Sequence, residues 1–167
     1  MDWLWAAVRS LHLLAAMVWV GGQFFLVFVV VPVLRSALPP PQRTMLIAQL
    51  GRRFAVVSWL VLAVLVLTGY LIGARRGVDW ASLPTAKSVY AQVLAAKLWL
   101  VGLVIVLTAV HGLVLGPRLT RLAAQAAGNS SEAEARRRRL ARLSAVVSAT
   151  NLLLNLVIVY LAARLLS

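Results

Sequence analysis

The sequence contains no cysteine and only four acidic residues among 167. The lack of cysteine excludes disulfides, thiolate metal sites, cysteine-held iron–sulfur clusters and cysteine nucleophiles. Only 13% of residues are charged and 62% are hydrophobic, against about 45–50% apolar residues in soluble proteins. Together with a mean hydropathy of +0.92, this excludes an ordinary soluble enzyme and a disordered chain. The composition predicts a single-domain integral membrane protein whose main partner is the lipid bilayer.

Four runs are long enough to cross a membrane, which takes about 20 predominantly apolar residues. They cover residues 11–34, 54–74, 89–116 and 143–163. The segments 35–53 and 117–142 carry eleven arginines, whereas five Lys and Arg residues lie outside the spans on the other side. By the positive-inside rule, both segments are cytoplasmic loops and both termini lie outside, in the periplasmic or extracellular space. The predicted fold is an all-α, antiparallel four-transmembrane-helix bundle in the cytoplasmic (inner) membrane.

The net charge of +13 comes from 17 Lys and Arg. Because most of them lie between the apolar runs, topology and anionic lipid headgroups explain them better than nucleic acid, which is not predicted as a partner. In the second basic loop, Ser131 and Glu134 form a capping-box pattern, which predicts a helix that starts there and continues into the fourth span.

Each span carries one weakly polar stripe, placed by a rotation of about 100° per residue. Polar groups are costly in hydrocarbon, so we expect the four stripes to face each other inside the bundle. In span order, the stripes contain His12, Trp19 and Gln23; Ser58 and Gly69, with Thr68 and Tyr70 beside them; Lys97, Thr108 and His111; and Ser144, Ser148, Asn151 and Asn155.

The two histidines are predicted to lie at different depths. His12 and Lys97 fall near the outer ends of their helices and His111 near an inner end, so the histidines differ in depth by about 20 Å. This separation argues against one iron or one metal ion held by both histidines of a chain, and allows two sites or a path across the membrane. As alternatives, His12 and Lys97 could snorkel to the interface and Trp19 could be a packing anchor. The remaining polar interior residues suit interhelical hydrogen bonding: Gln23, Thr108, Asn151 and Asn155.

Two glycine pairs, Gly69–Gly73 and Gly112–Gly116, fit the small-xxx-small pattern for close helix approach. The pattern can act within the bundle or between the subunits of a homodimer.

Residues 11–22 (LHLLAAMVWVGG) resemble the first-helix signature of the copper-resistance protein D (CopD) family, which is a His, a Trp seven residues later and a Gly pair. Further similar segments are Pro32 and Arg35, Arg53-Phe54, Leu67-Thr68-Gly69, Tyr90, Ala96-Lys97-Leu98 and Gly116-Pro117-Arg118-Leu119. The four-span core is also similar to HemJ, a haem-binding membrane protein associated with protoporphyrinogen oxidation. The resemblance implies functional roles for His12, Trp19, Lys97 and His111.

Three hypotheses follow. The first, ranked highest on the resemblance, is copper handling or transport, with His12 and His111 as metal ligands and a periplasmic copper protein as partner. Its weakness is that the chain has few of the soft ligands that Cu⁺ prefers. The second is a b-type haem protein, redox-active or an oxidase, with His12 or His111 as axial ligand and Lys97 or outer arginines pairing with the propionates. The third is a non-catalytic subunit or scaffold assembled through the glycine pairs.

Overall fold

The computed structural model describes residues 2–85, 87–125 and 131–165. In this part of the chain, four helices of 31 to 35 residues are long and apolar enough to cross a membrane: Trp3–Ala37, Gln42–Arg75, Val89–Leu122 and Glu134–Arg164. The predicted all-α bundle of four membrane helices is therefore confirmed. At about 1.5 Å per residue, helices of this length exceed the hydrocarbon thickness of about 30 Å, so their ends project into the headgroup layers.

The four spans are built from six α-helices. The first span contains α1 (Asp2–Phe25), a π-helical turn (Leu26–Val30) and α2 (Val31–Ala37), and the second is α3 (Pro40–Arg75). The third contains α4 (Val89–Ala109), a second π-helical turn (Val110–Leu115) and α5 (Gly116–Gln125), and the fourth is α6 (Ser131–Arg164). A short 3₁₀ turn, Leu83–Thr85, lies between the second and third spans.

The helices extend well beyond the predicted apolar runs, so much of segments 35–53 and 117–142 is helical rather than loop. Arg, Gln, Ala and Leu favour the helix, and a run of apolar residues marks only the part that lies in lipid. The proline run shortens the first connection: α3 starts at Pro40, after Pro39 in extended conformation, because the fixed φ of proline suits the first helical turn. As the capping pattern predicts, α6 begins at Ser131; Glu134 accepts hydrogen bonds from Arg138 at 2.5 and 3.2 Å.

Both π-helical turns end two residues before a proline, at Val30 before Pro32 and at Leu115 before Pro117. Proline lacks the N–H group of the helical ladder, and its ring crowds the preceding turn. A wider turn relieves this crowding, and in each span one hydrogen bond skips a residue: the N–H of Val31 donates to Leu26, and that of Gly116 donates to His111. The second wide turn therefore contains His111, a residue that the sequence singles out, as the acceptor of this wider hydrogen bond.

The helices pack as two hairpins, α1 with α3 and α4 with α6, which meet through α1 and α6 and through α3 and α5. We call the end that carries Trp3 and Arg164 the terminal end, and the end that carries Ala37 and Gln125 the loop end. The small core between the hairpins consists of Trp19, Leu62 and Val104. Leu94, Leu115 and Leu152 are also buried, whereas many other large apolar side chains of the spans are exposed, as a lipid environment requires.

A glycine turn closes the second span at the terminal end. Gly77 has a φ of +73°, and the amides of Gly77 and Val78 donate to the carbonyls of Ala74 and Gly73, which is the Schellman arrangement for a helix C-terminus. In the connection that follows, the Ser82 hydroxyl and the Ala81 amide donate to the Asp79 carboxylate at 2.7 and 3.1 Å. These bonds hold the pKa of Asp79 below its ordinary value.

Two glycines of the second span, Gly69 and Gly73, lie against side chains of the same protein. A Cβ atom at Gly69 would lie 3.4 Å from the His12 ring, and one at Gly73 would lie 2.5 Å from the Trp80 ring. Gly112, in the third span, meets no atom within 4 Å at its Cβ position. The pair Gly69–Gly73 therefore serves packing within the bundle.

Gly22 and Gly21 form a matched pair for testing the contact between the first two spans. A Cβ atom at Gly22 would lie 2.5 Å from the Phe54 ring, whereas one at Gly21 would meet nothing within 4 Å. We expect Gly22→Ala to destabilise the protein by about 1–3 kcal/mol through overpacking, and Gly21→Ala to leave stability unchanged or raise it by up to about 1 kcal/mol. Thermal unfolding in detergent measures both, and Phe54→Leu should recover the loss in the Gly22→Ala background. Equal effects of the two substitutions would contradict this packing.

Candidate functional site

His12 and Thr68 form a hydrogen bond between the first two spans near the terminal end. His12 Nδ1 lies 2.7 Å from Thr68 Oγ1, and the Thr68 hydroxyl donates to the Val64 carbonyl at 2.6 Å. A threonine hydroxyl has one proton, so Thr68 accepts the hydrogen bond from the His12 Nδ1–H group. His12 is thus held as the tautomer whose Nε2 carries a free lone pair, which is the form that binds metals through Nε2.

Cationic side chains accompany His12. Lys97 lies within electrostatic range of His12, and Arg76 within range of Lys97. Arg75, in the last turn of α3, stacks over the Trp5 ring at 4.6 Å from its centroid. The positive charges of Lys97 and Arg76 favour an anionic ligand group in this region. We call His12, Thr68, Lys97 and Arg76 the His12 site.

The middle of the bundle contains a chain of three polar side chains. The Trp19 Nε1–H group donates to Asn155 Oδ1 at 2.9 Å, and Asn155 Nδ2 donates to Gln23 Oε1 at 3.3 Å. The indole group can only donate, so it fixes the orientation of the Asn155 amide. Trp19 and Asn155 are 4% exposed. The chain links the first span to the fourth, and hence one hairpin to the other.

We expect Asn155→Leu to destabilise the fold by about 1–3 kcal/mol, because the buried Trp19 donor would lose its acceptor. The double variant Trp19→Phe/Asn155→Leu should recover part of that loss, since neither partner then needs a hydrogen bond. Unfolding measurements on the two single variants and the double variant give the coupling. Additive losses would mean that the hydrogen bond contributes nothing.

His111 belongs to a separate cluster toward the loop end. Its Nδ1 lies 3.3 Å from Ser148 Oγ and 3.5 Å from Ser144 Oγ. Thr108 and Asn151 each lie about one turn from this contact on their own helices, toward the terminal end. Thr108 Oγ1 and Asn151 Oδ1 are buried, with no hydrogen-bond partner among the described residues. We call these five residues the His111 cluster.

The polar stripes therefore meet inside the bundle, as expected, but in three groups. His12 and Lys97 come together near the terminal end, Trp19 joins Asn155 and Gln23 in the middle, and His111 has its own partners. Two residues of the His12 site, Thr68 and Arg76, are not among the site residues that the sequence predicts. The sequence places Thr68 only with the polar stripe of the second span, and Arg76 enters only among the five Lys and Arg that set the orientation in the membrane. The sequence signal for Thr68 was its position beside Gly69 on the inward face of α3.

Within the described residues, no three His, Cys, Asp or Glu side chains are grouped to hold a metal ion. His12 is a single potential ligand on an otherwise cationic site, and His111 is accompanied by hydroxyl groups. The arrangement can supply one imidazole nitrogen to an acceptor that brings its other ligands with it.

Comparisons with known proteins place the chain in a family without assigning an activity. No curated protein and no solved structure matches the sequence. The model of one family, described as "Domain of unknown function (DUF4149)", matches residues 14–128. The match covers more than half of the chain. It begins within the first membrane span, after His12, and extends beyond the third span. We therefore conclude that this four-span membrane protein belongs to the DUF4149 family.

Proposed function

We propose that the protein is a membrane haem protein, similar to HemJ, that binds one haem b at the His12 site. The observation that carries the proposal is the His12–Thr68–Val64 chain of hydrogen bonds. It fixes the ring and leaves Nε2 free, which is how a ligating histidine is commonly supported in metal sites. His12 would hold the haem iron, and Thr68 would be a positioning residue.

The charges around His12 favour haem over a bare copper ion. Lys97 and Arg76 would repel Cu⁺ or Cu²⁺, whereas they can pair with the two propionates of a haem. A copper ion also needs several protein ligands, while a porphyrin brings four nitrogens and requires only an axial ligand. Copper handling, ranked first on the resemblance to CopD, therefore becomes the alternative outcome of the test.

Bound there, the haem iron would supply reversible one-electron chemistry. The chain's own contributions would be distinct: His12 holds the iron, Thr68 holds the His12 ring, and the two cations orient the propionates. Gly69 leaves the His12 ring room against α3, since a Cβ there would lie 3.4 Å from it. Trp19, whose indole is committed to Asn155, stabilises the bundle beneath the site. His111 takes no part in this haem site.

The proposed setting is the bacterial inner membrane, with the His12 site toward the periplasm. This placement rests on the eleven arginines of the loop-end segments against five Lys and Arg on the other side. For the proposed homodimer, Gly112 offers the open small-residue face, since its Cβ position meets no atom within 4 Å.

The deciding experiment is an absorption spectrum of the full-length protein, purified in detergent from haem-replete cells. We expect a Soret band, with α and β bands that sharpen on reduction with dithionite. A colourless protein would overturn the proposal, provided that added hemin also fails to bind. Titration of that colourless protein with Cu⁺ would then test copper handling, and absence of both cofactors would favour the scaffold hypothesis.

A further inference from the structure

A basic cavity lies at the loop end, between α5 and the first turns of α6. Its volume is about 600 Å³, and it is lined by four arginines and three leucines. Two arginines, Arg118 and Arg121, come from α5, and two, Arg136 and Arg139, come from α6. None of the lining residues is acidic. We call this the arginine cavity; its leucines are Leu122, Leu140 and Leu143.

The spacing along each helix places its two cavity arginines on the same helix face. Arg118 and Arg121 are three residues apart, as are Arg136 and Arg139, so each pair lies on one face of its helix. Other arginines of α6 do not line the cavity, although they lie in the same basic run. Arg138, for example, is paired with Glu134. The cavity is thus lined by only some of the arginines in this basic region. It is more than the charged end of a helix.

The leucines give the cavity an apolar wall in addition to its basic one. Leu122 and Leu140 are partly buried and Leu143 is half exposed, and all three lie one turn from a lining arginine on the same helix face. In α6, the apolar run toward the membrane centre starts at Leu143. A ligand of the cavity would therefore meet guanidinium groups at its polar end and an apolar surface toward the bilayer.

Four guanidinium groups around one cavity repel each other unless an anion lies between them. Guanidinium binds phosphate oxygens in a bidentate manner, with strong charge-assisted hydrogen bonds. A free phosphate would use the arginines but leave the leucines without a role. An anionic phospholipid uses both, because its phosphate lies at the depth of the helix ends while its acyl chains run along the spans.

We propose that the arginine cavity binds the headgroup of an anionic phospholipid, such as phosphatidylglycerol. The phosphate is held by Arg118, Arg121, Arg136 and Arg139, and the acyl chains pack on the leucines. The lipid bridges the third and fourth spans at the end where their connection lies. This site is at the opposite end of the bundle from the His12 site and does not depend on the proposed haem binding.

The test is native mass spectrometry of the delipidated full-length protein, titrated with phosphatidylglycerol and, separately, with phosphatidylcholine of the same chains. The variant is Arg121→Gln/Arg139→Gln, which removes one lining arginine from each helix. The control is Arg137→Gln/Arg142→Gln, which removes the same charge from α6 positions that do not line the cavity. Circular dichroism and thermal unfolding in zwitterionic detergent establish that both variants are folded.

We expect the wild type to prefer phosphatidylglycerol, and the cavity variant to bind it about tenfold or more weakly, as the loss of charge-assisted hydrogen bonds predicts. The control should retain most of the affinity. Equal losses in both variants, or no preference in the wild type, would overturn the site. Displacement of the lipid by millimolar inorganic phosphate would identify a soluble anion as the occupant and would also overturn the proposal. If the cavity variant does not fold, the single variants Arg121→Gln and Arg137→Gln give the same comparison.

Discussion

Replacing His12 with alanine is expected to abolish the Soret band of the purified protein. The substitution removes the only imidazole of the His12 site and leaves the Thr68 hydroxyl bonded to the Val64 carbonyl, so the first two spans should still pack. Absorption spectra of wild type and variant, normalised to protein concentration, measure the loss. Because a misfolded variant would also lose haem, imidazole should be added to the variant with hemin, since it can enter the space of the missing ring and restore the band.

His111→Ala is the matched control for this experiment. His111 bonds to Ser144 and Ser148 in the His111 cluster, away from the His12 site, so the variant should keep the full Soret intensity. A band that survives in His12→Ala but disappears in His111→Ala would transfer the haem to the His111 cluster. Loss in both variants would indicate ligation by both histidines, for instance from two subunits, and would contradict the assignment to one chain.

Thr68→Val is expected to weaken haem binding about 10- to 100-fold, which is the usual effect of removing the hydrogen-bond partner of a ligating histidine. Valine keeps the shape of threonine but cannot accept the Nδ1–H of His12, so the ring is free to turn and to change tautomer. Hemin titration of the apoprotein measures the affinity, and the midpoint potential of the bound haem gives a readout that packing alone would not move.

Thr68→Ser is the conservative control, because it retains the hydroxyl and can repeat both hydrogen bonds. It should bind haem with nearly the wild-type affinity and potential. If Thr68→Val matches the wild type in both measurements, the Thr68 contact does not position the ring. Unfolding of each apoprotein separates this effect from a general loss of stability, since Thr68 is buried.

Hydropathy and residue spacing are sufficient to predict the membrane class, the number of spans and the composition of the polar stripes. Hydropathy is a property of a continuous run, and the face of a helix follows from the spacing along it, so both can be read locally. The same arithmetic separated His12 from His111 in depth and placed Lys97 with His12. It underestimated the lengths of the helices, because charged residues that favour the helix do not contribute to an apolar run.

Which residues of the stripes are hydrogen-bond partners follows only from the packing of the four helices. The bonds from His12 to Thr68 and from Trp19 to Asn155 join residues 56 and 136 positions apart, and such contacts depend on the rotation and vertical register of whole helices. The wide turn at His111 adds a displacement that uniform helix geometry does not include. The arginine cavity likewise exists only because α5 and α6 bring two local pairs together. The spacing of residues along a helix determines which residues share a face. The packing of one helix on another determines which residues of that face meet across the bundle, and hence the chemistry of both proposed sites.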